Sequence, residues 1–421
     1  MKAIVRATAV LGAAALLAAG CSSGGSTDTS TGGVTKLTLW TGFTGPDRPA
    51  YDKLIADFNA SHPNIQVTMD VQPWATLGQK LPSAWATGQG PDLATPSSDP
   101  GSIYQYIKTN SVIPLDSGVG TGDAKINAST FPTAVDKAFS QDGKLYAAPA
   151  NLATLVLYYN KDMFSAAGIS DAPKTLTDFQ ADAVKLTIGG DKPTQYGLSL
   201  ADHQTIQMWP ILQWMNGGDI VDTKGCAQIN KPASVEALKS WTDLVINKHI
   251  SPVGQTGADA DTLFSAKKAA MEINGPWAAA GFQQAGVNLG IAQVPVGPGG
   301  PVTLASSVPM LVARSSKHQA QALEFLAWWT GKTAQTTFAQ ASGFPPVRTD
   351  MTDAVAANQT VAQFALALPN AKLYLPGLTQ FAQIDNDIYV PFVGKITRGS
   401  DVQKEADSAA SAINALTGCK S

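Results

Sequence analysis

Gly20-Cys21-Ser22-Ser23-Gly24 matches the G-x-S-x-G pattern that, in serine hydrolases, exposes a nucleophilic hydroxyl on a strained strand-to-helix turn. No strand-like run precedes it and no helical run follows, so the pattern lacks the setting that gives it chemistry. The four histidines, His62, His203, His249 and His318, are scattered, with no pair at metal-ligand spacing. Glycosidic hydrolysis needs two carboxylates flanking one bond, and nothing pairs Asp99 with Asp202 in that way. No phosphate-binding or dinucleotide fingerprint occurs. The chain is therefore read as a non-enzyme without metal or cofactor. What is left is a set of aromatic and hydrogen-bonding residues near the ends of β-prone runs, among them Trp40, Thr41 and Phe43, then Gln72, Ser98 and Asp99, Asn151, and Trp277. Such residues suit binding: flat rings give rigid contact area, and a carboxylate can accept two hydroxyl protons at once.

The elements that would hold them alternate. Lys36–Trp40 reads as a strand, Pro49–Asn59 as a helix, Ile65–Val71 as a second strand and Leu77–Thr87 as a second helix. Gly88-Gln89-Gly90-Pro91 breaks the chain before Asp92–Thr95. Further on, Lys144–Pro149, Thr154–Tyr159 and Ala269–Ile273 are β-prone, while Lys161–Ala167, Leu176–Leu186, Glu236–Asn247 and Gln319–Trp329 carry helical spacing. Strands alternating with helices predict parallel α/β sheets, whose ligands sit beyond the carboxyl ends of the strands. The loops at Trp40–Pro46 and Thr95–Pro100 fall there. Trp85, Trp241, Trp328 and Trp329 sit in helical patterns and are expected to pack in the body.

The 421 residues allow two or three domains, each with its own core. The formal net charge of −3 and the lack of basic runs argue against nucleic acid as a partner. Lys2 and Arg6 precede an apolar stretch, Ala7–Ala19, too short for a membrane anchor and suited to a signal peptide. It closes on Leu17-Ala18-Ala19-Gly20-Cys21, similar to a bacterial lipobox. Residues 1–20 are then a lipoprotein signal peptide, Cys21 the lipidated residue, and 21–35 a Ser/Gly/Thr-rich flexible tether. That places the body outside the bacterial cell membrane, held by acyl chains. In that setting Cys226 and Cys419 are expected to form a disulfide, the alternative being two buried thiols.

Four segments together resemble the extracellular solute-binding proteins of ATP-binding-cassette importers, in the sugar-binding group that includes maltose-binding protein. They are Leu37-Thr38-Leu39-Trp40 with its helix; Gly88-Gln89-Gly90-Pro91-Asp92; Leu145-Tyr146-Ala147-Ala148-Pro149 followed by Leu157–Phe164; and Ala269–Trp277, reading AAMEINGPW. The resemblance implies a two-lobed, periplasmic-binding-protein-like α/β fold with a parallel or mixed sheet in each lobe and several inter-lobe crossings. These are expected at Pro149–Asn151, Ala292–Gly297 and Thr330–Thr333, giving one lobe from 36–150 plus 295–330 and another from 151–294 plus 331–421. It also implies a monomer that binds a sugar or oligosaccharide in the cleft and delivers it to a membrane permease. The alternatives are a carbohydrate sensor, a carbohydrate-active enzyme or a receptor for a non-sugar solute. In this resemblance Trp277 stacks on sugar and Gln72 is a contact. Gly343-Phe344-Pro345-Pro346-Val347-Arg348 is similar to a family loop, making Gly343 and Arg348 candidates. Asp202, His203, Trp209, Trp214 and Asp385 complete the expected ligand set.

Overall fold

A computed structural model describes residues 33–97, 100–115, 125–202 and 208–419. Cys21, the signal peptide, most of the tether, Ser98, Asp99 and His203 lie outside the described residues.

The first lobe is built on a five-stranded sheet. Its strand Thr35–Thr41 buries Leu37, Leu39 and Thr41 on one face and runs parallel to Ile65–Val71 in full register, Thr35 opposite Ile65 through Thr41 opposite Val71. Leu93–Ala94 joins its other edge in parallel, and Pro309–Val312 then pairs antiparallel with both Leu93–Ala94 and Ala148–Pro149. The helix Arg48–Ser61 sits on this sheet because Ala50, Tyr51, Leu54, Ile55 and Phe58 recur on one face.

The second lobe centres on a four-stranded mixed sheet. Ala269–Asn274 is buried at every position, as befits a central strand covered on both faces. It pairs antiparallel with Val156–Asn160 and parallel with Tyr196–Ser199. Three further strands, Ala153–Thr154, Thr303–Ser306 and Ala371–Leu373, form a small sheet beside it. Cys226 and Cys419 are joined by a disulfide, their Cα atoms 5.5 Å apart, which ties the Asp222–Ala227 turn to the end of the helix Val402–Thr417.

The connection between lobes is an antiparallel ribbon. Met310 and Pro309 pair with Ala148 and Pro149 in the first sheet, and Ser306 and Ala305 pair with Ala153 and Thr154 in the small one. Asn151 stands midway. Its Oδ1 accepts the Val308 N–H at 3.0 Å, its carbonyl accepts the Ser307 hydroxyl at 2.7 Å, and its Nδ2 donates to the Tyr51 hydroxyl at 2.7 Å.

Two expected crossings move. Residues 293–302 stay in the second lobe, where Val294 and Val302 enter its core and Leu176 N–H donates to the Val296 carbonyl. The second crossing is Ser306–Val308, between Ser306, paired with Ala153 in the small sheet, and Pro309, paired with Pro149 in the first. Likewise the chain does not leave the first lobe at Thr330–Thr333: Phe338, Phe344 and Val347 pack in the first core, and the Thr349 N–H donates to the Thr130 carbonyl. The return comes between Thr349 and Phe364, which packs against Tyr158.

Candidate functional site

The strand Ala269–Asn274 ends at Gly275-Pro276, and Pro276 opens the helix Pro276–Gln284 with its ring already at the helical φ. Trp277 therefore stands just beyond the carboxyl end of this central strand, with its indole against Gly275. A Cβ at Gly275 would lie 2.2 Å from that indole, so only glycine allows the ring this seat. Trp277 is half-buried and its ring centroid is 6.3 Å from that of Phe344. Phe344 follows Gly343, which ends the helix Lys332–Ser342 in the left-handed conformation with φ 79°.

Across from Trp277, the loop after the first strand brings Phe43 flat onto Tyr51, centroids 3.7 Å apart, with Trp74 at its edge. Trp74 opens the helix Trp74–Ala86 and lies against Gly42, where a Cβ would stand 2.0 Å from the indole. Phe43, Trp74, Trp277 and Phe344 line a chamber of about 350 Å³ whose floor is the crossing ribbon at Asn151, Ala153, Ser306 and Val308. Asp47 and Asp261 enter it from the two lobes. Burial raises Asp47 to about 6, partly offset by its hydrogen bonds with its own backbone and with the Tyr51 hydroxyl.

Behind Asp261 lies a second carboxyl group. Asn274 Nδ2 donates to Asp261 Oδ1 and to Glu272 Oε1, each at 2.7 Å. Glu272 is fully buried, and desolvation together with the neighbouring Asp261 charge pushes it well above the carboxylate range. Asp261 is raised by burial, against hydrogen bonds from Glu272 and Asn274.

Thr44 and Trp74 also line a wider chamber of about 930 Å³. Ser97, Gln79 and Gln105 contribute from the first lobe; Asp202, Trp209, Phe381, Asp385 and Tyr389 contribute from the second. Asp202 Oδ2 accepts the Gly254 N–H at 2.9 Å and the Thr397 hydroxyl at 3.3 Å. Asp385 Oδ1 accepts the Tyr374 hydroxyl at 2.9 Å, and burial raises its carboxyl to about 6. Trp209 is 3% exposed and its indole N–H has no hydrogen-bond partner.

Of the expected ligand residues, the chambers gather Phe43, Asn151, Asp202, Trp209, Trp277 and Asp385. Others are elsewhere. Thr41 is buried and its Oγ1 accepts the Thr95 hydroxyl at 2.8 Å, while Trp40 packs against the first core. Gln72 donates to Asp70 and accepts from Lys80 on the exposed strand end. Trp214 is 3% exposed, donates to Asp219 and lies under the Lys372 ammonium. Arg348 grips Asp350 through two 2.8 Å bonds, holding that carboxylate at about 2. Gly343 lines neither chamber and acts by delivering Phe344.

Sequence reasoning passed over Trp74, Asp47 and Asp261. Trp74 had a signal, an aromatic at the carboxyl end of the parallel strand Ile65–Val71; the two carboxylates had none. Among the described residues no group of three or more His, Cys, Asp or Glu could hold a metal ion, and no helix is long and apolar enough to cross a membrane.

The family model described as bacterial extracellular solute-binding protein matches residues 53–365. A binding protein of Brucella abortus is 26% identical over 377 residues, which cover 87% of this chain and 90% of the relative. The sn-glycerol-3-phosphate-binding periplasmic protein of Rhizobium meliloti is 24% identical, covering 74% of this chain and 75% of its own length. The crystal structure of the GacH receptor of Streptomyces glaucescens, solved unliganded and with acarbose, superimposes with a TM-score of 0.81 at 24% identity, over 92% of this chain and all of that one. Its two-lobed architecture is the one described above.

Proposed function

Because the chain belongs to the bacterial extracellular solute-binding protein family, we propose that it is a lipid-anchored receptor that takes a sugar or oligosaccharide into its inter-lobe cleft and delivers it to an ATP-binding-cassette importer. The observation that carries this reading is the small chamber, where aromatic faces from both lobes meet over the crossing ribbon. A sugar ring has C–H faces that pack on indole and phenyl rings, and an edge of hydroxyls that carboxylates and amides can satisfy. Asp47, Asp261 and Asn151 stand at that edge.

Closing follows from the same geometry. Trp277 and Asp261 ride on the second lobe, Trp74 and Asp47 on the first, so a ligand touching all four binds the closed state better than the open one. Only that difference in affinity shifts the equilibrium. The ribbon at Asn151 and Ser306–Val308 is the hinge of this motion. Lipid on Cys21 and the tether, ending where the strand Thr35–Thr41 begins rather than after residue 35, would hold the receptor near its permease as a monomer.

The receptor of the Rhizobium relative is named for an anion, sn-glycerol 3-phosphate. Here the described residues lining both chambers include no Lys, Arg or His, which argues for a sugar over a phosphate ester. Titrating the purified full chain with a panel of sugars and with sn-glycerol 3-phosphate, followed by tryptophan fluorescence, tests the reading. Saturable quenching or enhancement by a carbohydrate is expected. Response to the phosphate ester or to peptides alone refutes the sugar assignment, and a Cys21→Ala protein still fractionating with membranes refutes the anchor.

A further inference from the structure

The hydrogen bonds that leave the crossing ribbon can run in one direction only. The backbone N–H of Val308 must donate, and it meets Asn151 Oδ1 at 3.0 Å, which fixes the amide and turns Nδ2 toward Tyr51. Asn151 Nδ2 must donate as well, so across 2.7 Å the Tyr51 oxygen is the acceptor. The hydroxyl proton is then left for Asp47, the chamber carboxyl group that is the other hydrogen-bond partner of Tyr51. A single chain of donors thus runs from Val308 on the second crossing, through Asn151 on the first, to a carboxyl group lining the smaller chamber.

Packing holds Tyr51 in the middle of this chain. It is fully buried and stands four residues after Asp47 at the start of the helix Arg48–Ser61, which puts both on one helix face. Phe43 lies flat on its ring at 3.7 Å, and the rings of Phe338 and Trp329 have centroids 4.9 and 6.2 Å away. Trp329 in turn donates its indole N–H to the carbonyl of Ala150, the neighbour of Asn151, at 3.0 Å. Around Asp47 the other ionisable groups are engaged elsewhere or stand off. Arg48 pairs with Asp52 at 3.4 Å, Asp261 belongs to the wall supplied by the other lobe, and the helix Pro276–Gln284, which Pro46 approaches at Gly281, carries no ionisable side chain. Asp47 makes no capping bond to its own helix, so its orientation is set by Tyr51.

We propose that Tyr51 is a positioning residue that couples the chamber to the hinge: its hydroxyl orients Asp47 toward the ligand space and, through Asn151, steadies Val308 in the second crossing. This rests on the reading of Asp47 as a ligand acceptor and adds how its occupancy is felt at the hinge. A ligand donating to Asp47 strengthens the chain toward the ribbon, and a ribbon set for closure fixes Asp47; the two are one coupling seen from its ends.

Two measurements on the purified full chain, neither of which uses ligand, test it. The first follows the carboxyl carbon of Asp47 by NMR as pH is varied, in wild type and in Tyr51→Phe, which keeps the ring and its stacking. Wild-type Asp47 should titrate at about 6, and the variant at least about half a pH unit higher, since the hydroxyl that favours the ionised form is gone. The second follows hydrogen exchange of the Val308 amide, expected to be at least about threefold faster in Tyr51→Phe while amides of the strand Ala269–Asn274 keep their rates. A tyrosine that only fills space would lower stability and move neither reading. An unshifted Asp47 titration, or an unchanged Val308 rate, overturns the coupling. Should Tyr51→Phe fail to fold, Asp47→Ala reads the chain from its other end: Val308 exchange should again quicken about threefold, and an unchanged rate overturns the inference. Failure of the receptor reading shows separately, as silence in the sugar titration.

Discussion

Asp385→Asn is expected to stabilise the protein near neutral pH and to change little in acid. Asp385 lies in the Ile384–Tyr389 segment of the wider chamber, where burial raises its carboxyl from 3.8 to about 6 while the Tyr374 hydroxyl bond pulls the other way. A folded-state value above the unfolded one means that the folded protein holds this proton longer. Below about pH 4 the group is protonated in both states and contributes nothing. Between about 4 and 6 the unfolded chain releases its proton first, so stability falls as pH rises, and the full penalty is present above about 6. A span of about two pH units corresponds to roughly 3 kcal/mol. Since Asp385 is only half-buried and borders a cleft, solvent should reduce the realised effect to about 1–3 kcal/mol. Asparagine keeps an acceptor for Tyr374 and cannot ionise. Asp47, Asp261 and Glu272 are raised as well, but they act equally in both proteins and cancel in the difference. Urea unfolding at about pH 4, 5, 6 and 7.5 should give matching midpoints at the acid end and a more stable variant at the neutral end. A difference that stays constant across this range would show that Asp385 pays no ionisation cost in the folded state.

Trp277→Ala should weaken ligand binding at least about tenfold, or about 1.4 kcal/mol, with a smaller loss of folding stability because the ring is half-buried at a chamber wall; unchanged affinity with a large stability loss would make it a packing residue. Asn151→Ala leaves the Val308 N–H without its acceptor and removes the donor to the Tyr51 hydroxyl, which keeps its bond to Asp47, so a loss of about 1–3 kcal/mol in urea unfolding is expected; a loss under about 1 kcal/mol, roughly one exposed bond, would mean that the hinge is tied elsewhere. Replacing Cys226 and Cys419 by serine opens a link between residues 193 apart, and chain entropy gives up to roughly 5 kcal/mol for it. Equal urea midpoints for the oxidised wild type and the double serine variant would contradict this, while ligand affinity, set in a different part of the lobe, should hold.

The elements were readable where one rule governed them. Ile65–Val71 and Gln319–Trp329 occupy the spans their periodicity predicts, since burying one face of a strand or helix leaves a direct mark on spacing. Trp85, Trp241 and Trp329 fell into the cores for the same reason. The site was less legible. Thr41, Trp214 and Arg348 have the residue types of a binding site, yet each is satisfied by a neighbour: Thr95, Asp219 and Asp350. Nothing in a one-dimensional pattern separates an indole that donates to a nearby carboxylate from one, like that of Trp209, left without an acceptor.

By itself the sequence determined the family, the alternation of strands and helices, and Trp277 at a Gly-Pro strand end, because each depends on residues adjacent in the chain. Tertiary structure alone decided where the lobes exchange strands and which carboxylates line one chamber. Asp47 and Asp261 are separated by more than half the chain and line the same chamber only because the ribbon pairs Ala153 with Ser306 and Pro149 with Pro309. That pairing is a competition among buried backbone hydrogen bonds, settled when both cores close, and it leaves no spacing in the sequence to read.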